Sequence, residues 1–127
     1  DTTGDLKKIL APLVKVKDEN RFLAQVFQSI RIEVNDELEV IRTLLSDSSK
    51  YIKKGGRLVC ISYHSLEDRI VKRFIQNGGY NEEVPTDFYG KKNFIFKKVG
   101  KMITPSIEEI KLNNRSRSAK LRIAEKI

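Results

Sequence analysis

Residues 57–63 (RLVCISY) form the tightest apolar run of the chain, set between Gly55-Gly56 and His64-Ser65. A run this short, bounded by chain-breaking residues, predicts a buried strand. Directly behind it, Ser65 and Asp68 have the spacing of a capping box with Asp in place of Glu. Ile70, Val71, Phe74 and Ile75 then recur at helical spacing until Asn77-Gly78-Gly79. A strand feeding an amphipathic helix points to an α/β architecture.

The flanking elements follow from the same rules. Thr2 or Thr3 caps a short helix through about Val14, weakened by Pro12. Asp18 or Asn20 caps a second helix with Phe22, Leu23, Val26, Phe27 and Ile30 on one face, and Asn35-Asp36 breaks it. Leu38, Ile41, Leu44, Leu45 and Ile52 continue the helical period until Gly55-Gly56. Beyond the central helix, residues 94–99 read as a strand, with a continuation to Ile103 left open. Ser106 and Glu109 form a second capping box after Thr104-Pro105. Residues 120–126 alternate Leu121 and Ile123 with Lys120 and Arg122, a half-buried strand. The chain thus divides into a helical segment, residues 1–54, and a β-α-β-β part, residues 55–127. Three strands are thin support for a domain, so the expectation is the tail of a larger α/β unit whose other strands lie upstream. A first residue other than Met agrees with a fragment.

Composition narrows the function. The 127 residues carry 25 Lys plus Arg against 17 Asp plus Glu, a net charge of +8. That excess favours an anionic partner, nucleic acid ahead of a membrane surface. The apolar run is far too short to span a bilayer and no leader pattern opens the chain. One cysteine, Cys60, excludes an intrachain disulfide framework, and the single histidine leaves little for a metal site. These features fit a soluble, cytoplasmic protein of a reducing compartment. No GxGxxG or GxxxxGK[ST] loop is present, so no complete nucleotide-phosphate cradle is encoded. His64, Ser65 and Asp68 are too close in sequence for the line of nucleophile, base and orienter that a triad needs.

Two segments carry candidate chemistry. Residues 62–73 (SYHSLEDRIVKR) lie where a strand ends and a helix begins, the edge at which ligands gather in open α/β sheets. There His64 can orient a polar group, and the helix N-terminus can receive an anion. The plainer reading is that Ser65 caps, Glu67 and Asp68 complement the helix dipole and His64 packs. Residues 113–120 (NNRSRSAK) hold Arg115, Arg117 and Lys120 among small hydroxyl residues, a composition suited to phosphate. The plainer reading is a solvated loop whose arginines pair with Glu67 or Asp68. Residues 27–38 read as a packing face with Arg31, Asn35 and Glu37 as polar exceptions, and Cys60 as a small core residue.

Residues 27–38 (FQSIRIEVNDEL), 55–73 (GGRLVCISYHSLEDRIVKR), Thr104-Pro105-Ser106 and residues 113–126 (NNRSRSAKLRIAEK) resemble, in order, the C-terminal part of the small-subunit ribosomal RNA methyltransferase H family, also called MraW. Tyr63 stands where that family usually has Phe, and Asn114 where it has Pro, which loosens the turn before Arg115. The resemblance implies the C-terminal portion of a class I S-adenosylmethionine-dependent methyltransferase (Rossmann-like) sheet and part of an inserted helical domain. It implies methylation of the exocyclic N4 amine of a cytidine in 16S rRNA, with the small ribosomal subunit as partner and no membrane; a homo-oligomer stays open. The cofactor loops would lie in the missing N-terminal half, leaving this fragment inactive alone. In that fold the last strand is antiparallel and lies between the two before it, so its start falls on the same sheet edge as His64. His64, Ser65, Arg115 and Arg117 would then shape the nucleotide side of the site, while Lys72, Arg73 and Lys120 hold backbone phosphates. The resemblance supplies no catalytic base. The alternative is a stand-alone basic RNA-binding or interaction module without catalysis, against which the 8% aromatic content offers no clear stacking platform.

Overall fold

The computed structural model describes residues 2–13, 16–78, 88 and 94–127. The chain falls into two compact units, Asp1–Glu37 and Leu38–Ile127. In the first, helix α1 (Thr3–Leu10) starts at a reciprocal cap: Asp5 N–H donates to Thr2 Oγ1, and Thr2 N–H donates to the Asp5 carboxylate at 3.0 Å. The helix ends before Pro12, which sits in a 3-10 turn, Ala11–Leu13. Helix α2 (Glu19–Val34) follows Asp18 and buries Leu23. It stops where the pattern predicted, at Asn35, and Asp36 takes the left-handed backbone (φ 50°) that short polar side chains tolerate.

The second unit holds the sheet. Helix α3 (Glu37–Tyr51) contributes Leu45, strand β1 is Arg57–Ser62, and helix α4 is Ser65–Asn77. Strand β2 (Phe96–Lys98), helix α5 (Ile107–Leu112), a 3-10 turn (Asn114–Ser118) and strand β3 (Lys120–Lys126) complete it. The strand order is β1-β3-β2, with β3 antiparallel to both neighbours. Gly55-Gly56 does more than end a helix. Gly55 N–H donates to Lys126 C=O at 2.8 Å, and Lys126 N–H donates to Gly56 C=O at 2.9 Å. A Cβ at Gly56 would lie 2.8 Å from Lys53 O, closer than real Cβ atoms come.

Helices α3 and α4 supply the core partners of one sheet face: Leu45, Ile70, Val71, Phe74 and Ile75 pack with Phe96 and Ala124. The Phe74 and Phe96 rings meet at 5.7 Å between centroids, and each buried ring contributes about 2–3 kcal/mol of transfer free energy. Ala124 is wholly buried on the central strand, so the helix packs closely over it.

Two strand expectations change. The apolar run is covered on one side only: Leu58, Cys60 and Ser62 turn inward, whereas Val59 and Ile61 are 55% and 59% exposed. The alternation of the pleat separates the two sets, and the described residues place no second layer over Val59 and Ile61. Strand β2 is shorter than residues 94–99, and after Val99 the chain turns out of the ladder at Gly100, whose φ is 67°. The chain returns at Ile103, which bridges to Leu121. Among the described residues, no helix is long and apolar enough to cross a membrane.

Candidate functional site

The edge expected to hold the site is built by the β1–β3 register, which sets Ser62 opposite Lys120. The end of β1, the start of α4 and the turn carrying Arg115 and Arg117 therefore converge.

At the head of α4 the cap is His64 rather than Ser65. His64 has extended backbone (φ −134°, ψ 163°), and its Nδ1 accepts from Glu67 N–H at 3.5 Å. The Glu67 carboxylate reaches back to accept from the N–H of Tyr63 (2.9 Å) and of His64 (3.3 Å). The capping box is thus His64–Glu67, one residue earlier than the Ser65–Asp68 spacing suggests, and Ser65 is the first helical residue, exposed. An imidazole that accepts at Nδ1 carries its proton on Nε2. That nitrogen lies 3.0 Å from Glu67 Oε1 but off the line of a hydrogen bond, buried and without a hydrogen-bond partner among the described residues.

Asp68 is released from capping because β3 claims it. Arg122 Nε and Nη2 donate to Asp68 Oδ1 and Oδ2 at 2.6 and 3.0 Å, a two-pronged fit of guanidinium to carboxylate. Lys120 Nζ stands 3.6 Å from Oδ2. Asp68 is buried, and the hydrogen bonds from Arg122 hold its carboxyl below the usual range against the opposing effect of burial. The same hydrogen bonds raise Arg122 further. Arg122 is the residue that pattern reading missed. Alternation sets it opposite Leu121 and Ile123, and the structure turns the Arg122 side rather than the apolar side toward α4, where a charge needs a partner.

The turn before β3 is held by local hydrogen bonds. Asn113 Oδ1 accepts from Arg115 N–H at 3.1 Å, and the buried Ser116 Oγ donates to Asn113 C=O at 2.7 Å. In the resulting 3-10 turn both arginines are exposed while Ser116 is buried. Arg115 and Arg117 point about 120° apart around this turn, since a 3-10 helix turns about 120° per residue. Neither braces Glu67 or Asp68, and among the described residues neither has an ion-pair partner; the brace is Arg122 with Lys120. Lys72 and Arg73 are exposed on α4, Lys72 on the stripe one turn beyond Asp68. Cys60 is half-buried in β1 and burial pushes its thiol up, as for an inert core cysteine.

These residues do not make a cradle for S-adenosylmethionine. The β1–α4 turn has no glycine, and its Tyr63, His64 and Glu67 amides are taken up by the His64–Glu67 box. What the edge offers is two exposed arginines in the turn before β3 and an imidazole held at the head of α4, and the guanidinium groups suit an anionic partner.

A profile of the MraW methylase family matches residues 1–127. The chain belongs to the MraW methylase family. Curated relatives in that family include proteins named ribosomal RNA small subunit methyltransferase H from Flavobacterium johnsoniae, 55% identical over 126 residues, and from Christiangramia forsetii, 51% identical over 127. A third, from Bacteroides thetaiotaomicron, is 48% identical over 126 residues. These alignments take in 98–100% of this chain but only 41–42% of the relatives. The chain therefore spans about two fifths of the length of the MraW relatives it matches. Its antiparallel β3, between β1 and β2, has the placement that the resemblance to this family implied.

Proposed function

We propose that this chain is the substrate-facing part of an enzyme that methylates the N4 amine of a cytidine in 16S rRNA, within a Rossmann-like class I methyltransferase sheet. The observation that carries the reading is the Ser62–Lys120 register, which brings His64, Ser65, Arg115 and Arg117 to one sheet edge in a chain of the MraW family. S-adenosylmethionine supplies the methyl group when bound, from a site outside these residues. The work left to this chain is positioning. An exocyclic amine must be held in line with the donor at near-attack distance, and a stacked base must be splayed out to get there. His64, held by Glu67, and Ser65 form a fixed wall for the base. Arg115 and Arg117 meet the flanking phosphates, with Lys72, Arg73 and Lys120 behind them. No residue is assigned as a base.

The test uses the full-length enzyme, small ribosomal subunits from a strain lacking this methylation, and labelled S-adenosylmethionine. The expected product is N4-methylated cytidine in digests of the 16S rRNA, with a raised KM in an Arg115→Ala, Arg117→Ala double variant. Label in another RNA or at another base atom would refute the assignment.

A further inference from the structure

The arch after β2 brings two lysines that the edge site does not use, Lys98 and Lys101, up to one that it does, Lys72. Val99 N–H donates to Ile123 C=O at 2.9 Å and Ile103 N–H to Leu121 C=O at 3.0 Å. Two positions four apart on one strand are thus pinned to two positions two apart on β3. The surplus, residues 100–102, is thrown out opposite Arg122 as an enlarged bulge, and Gly100 makes the turn at φ 67°. Arg122 Nη2 reaches Met102 Sδ at 3.5 Å, so the arch leans to the α4 side of the sheet. Between arch and helix lies a cleft of about 60 Å³ walled by Lys72 and Gln76 from α4 and by Lys98 and Lys101 from the arch, with Arg122 at its base.

Among the described residues, no carboxylate lines this cleft. The charge of Arg122 is answered by Asp68, whereas Lys72, Lys98 and Lys101 have no carboxylate partner among the described residues. Three lysines facing one small space repel one another unless an anion joins them. The volume is far below the ~300 Å³ at which small-molecule sites begin, so the cleft takes one group of a larger ligand. It also continues the edge site, since Lys120, Asp68 and Arg122 run from the His64 end of α4 to the cleft floor. We propose that the cleft binds one backbone phosphate of the RNA substrate, about two helical turns of α4 away from the base. This rests on the rRNA reading above and extends its footprint from the sheet edge along the helix.

The test is fluorescence anisotropy of a labelled 16S rRNA fragment on the full-length enzyme across a salt series. A Lys98→Gln, Lys101→Gln variant is compared with Lys97→Gln, whose position pairs with Glu125 and does not line the cleft. The expected result for the double variant is an unchanged melting temperature, roughly threefold or weaker binding, and a log–log salt slope shallower by about 0.7. Lys97→Gln should keep the parent slope. Parent-like binding in the double variant, or an equal loss in Lys97→Gln, would overturn the proposal. So would saturable binding of inorganic phosphate abolished by the double variant while RNA affinity stays intact, which would make the cleft a small-anion site. Methylation by the parent tests the rRNA reading separately, and anisotropy decides the cleft whichever way that turns out.

Discussion

Replacing Asp68 by Asn should unlock the joint between α4 and β3. The carboxylate takes two charged hydrogen bonds from Arg122, at 2.6 and 3.0 Å, and has a second cation, Lys120, at 3.6 Å. The Asp68 and Arg122 side chains are only 11% and 15% exposed, so solvent screens the pair weakly. Removing one partner of such a pair leaves its mate charged and poorly solvated, a cost of about 3–5 kcal/mol. In a full-length enzyme that is a fall in Tm of roughly 10 °C at neutral pH. The pH dependence has a definite sign. Because the folded carboxyl titrates below its unfolded value of about 3.9, its contribution is complete above that value and fades as pH falls through the folded pKa. The gap between parent and Asp68→Asn should therefore be full at neutral pH and close in acid. An Asp68→Asn, Arg122→Met double variant should regain part of the loss, since an apolar replacement of both partners removes the stranded charge. Melting curves of the three proteins between about pH 3 and 7 are the assay. If Asp68→Asn melts within 2 °C or so of the parent at neutral pH, the buried bridge does not hold these elements together.

Three further outcomes are expected. Arg115→Ala and Arg117→Ala, both at exposed positions without ion pairs among the described residues, should each keep stability within about 0.5 kcal/mol while raising KM for the ribosomal substrate and flattening its salt dependence; a matching loss of Tm would make them structural instead. Glu67→Ala strips the acceptor from the Tyr63 and His64 amides and should cost about 1–2 kcal/mol, read as lost hydrogen-exchange protection at those two amides; protection equal to the parent would contradict the cap. Gly56→Ala forces a Cβ against Lys53 O and should destabilise by about 1–3 kcal/mol in denaturant unfolding, whereas an unchanged midpoint would show that the backbone relaxes freely.

The parts of the fold that periodicity could reach were those set by local pattern. The β1–α4 unit was legible because Ile70, Val71, Phe74 and Ile75 lie on one helical stripe behind a strand-length run, and all four are buried. Strand order and the antiparallel sense of β3 came from the family resemblance, since nothing in residues 120–126 declares a neighbour. The cap was misplaced because His is an uncommon N-cap and Ser a favoured one, so the pattern chose Ser65. What decided the matter was nonlocal: Arg122, 54 residues away, holds Asp68 and leaves Glu67 to close the box. Composition likewise could not separate Val59 and Ile61 from Leu58 and Cys60, because an apolar run does not say how many faces have a cover. The 3-10 turn was readable in principle, since Asn113 is a residue whose side chain makes such turns.

Strand β1 is also the rim of the described sheet, pairing with β3 on one side only. Its outer rail is a line of amides and carbonyls, and Val59 and Ile61 stand uncovered beside it. That combination is adhesive: an extended segment of matching alternation can add to the rail and lay apolar side chains on the bare face. A segment tethered on the same polypeptide arrives at millimolar effective concentration and excludes strangers. Presented alone, the same rail recruits whatever strand is most abundant, first of all another copy of itself. The 127-residue chain on its own should therefore grow in particle size with concentration, and a charge placed at Ile61 should restrain that growth.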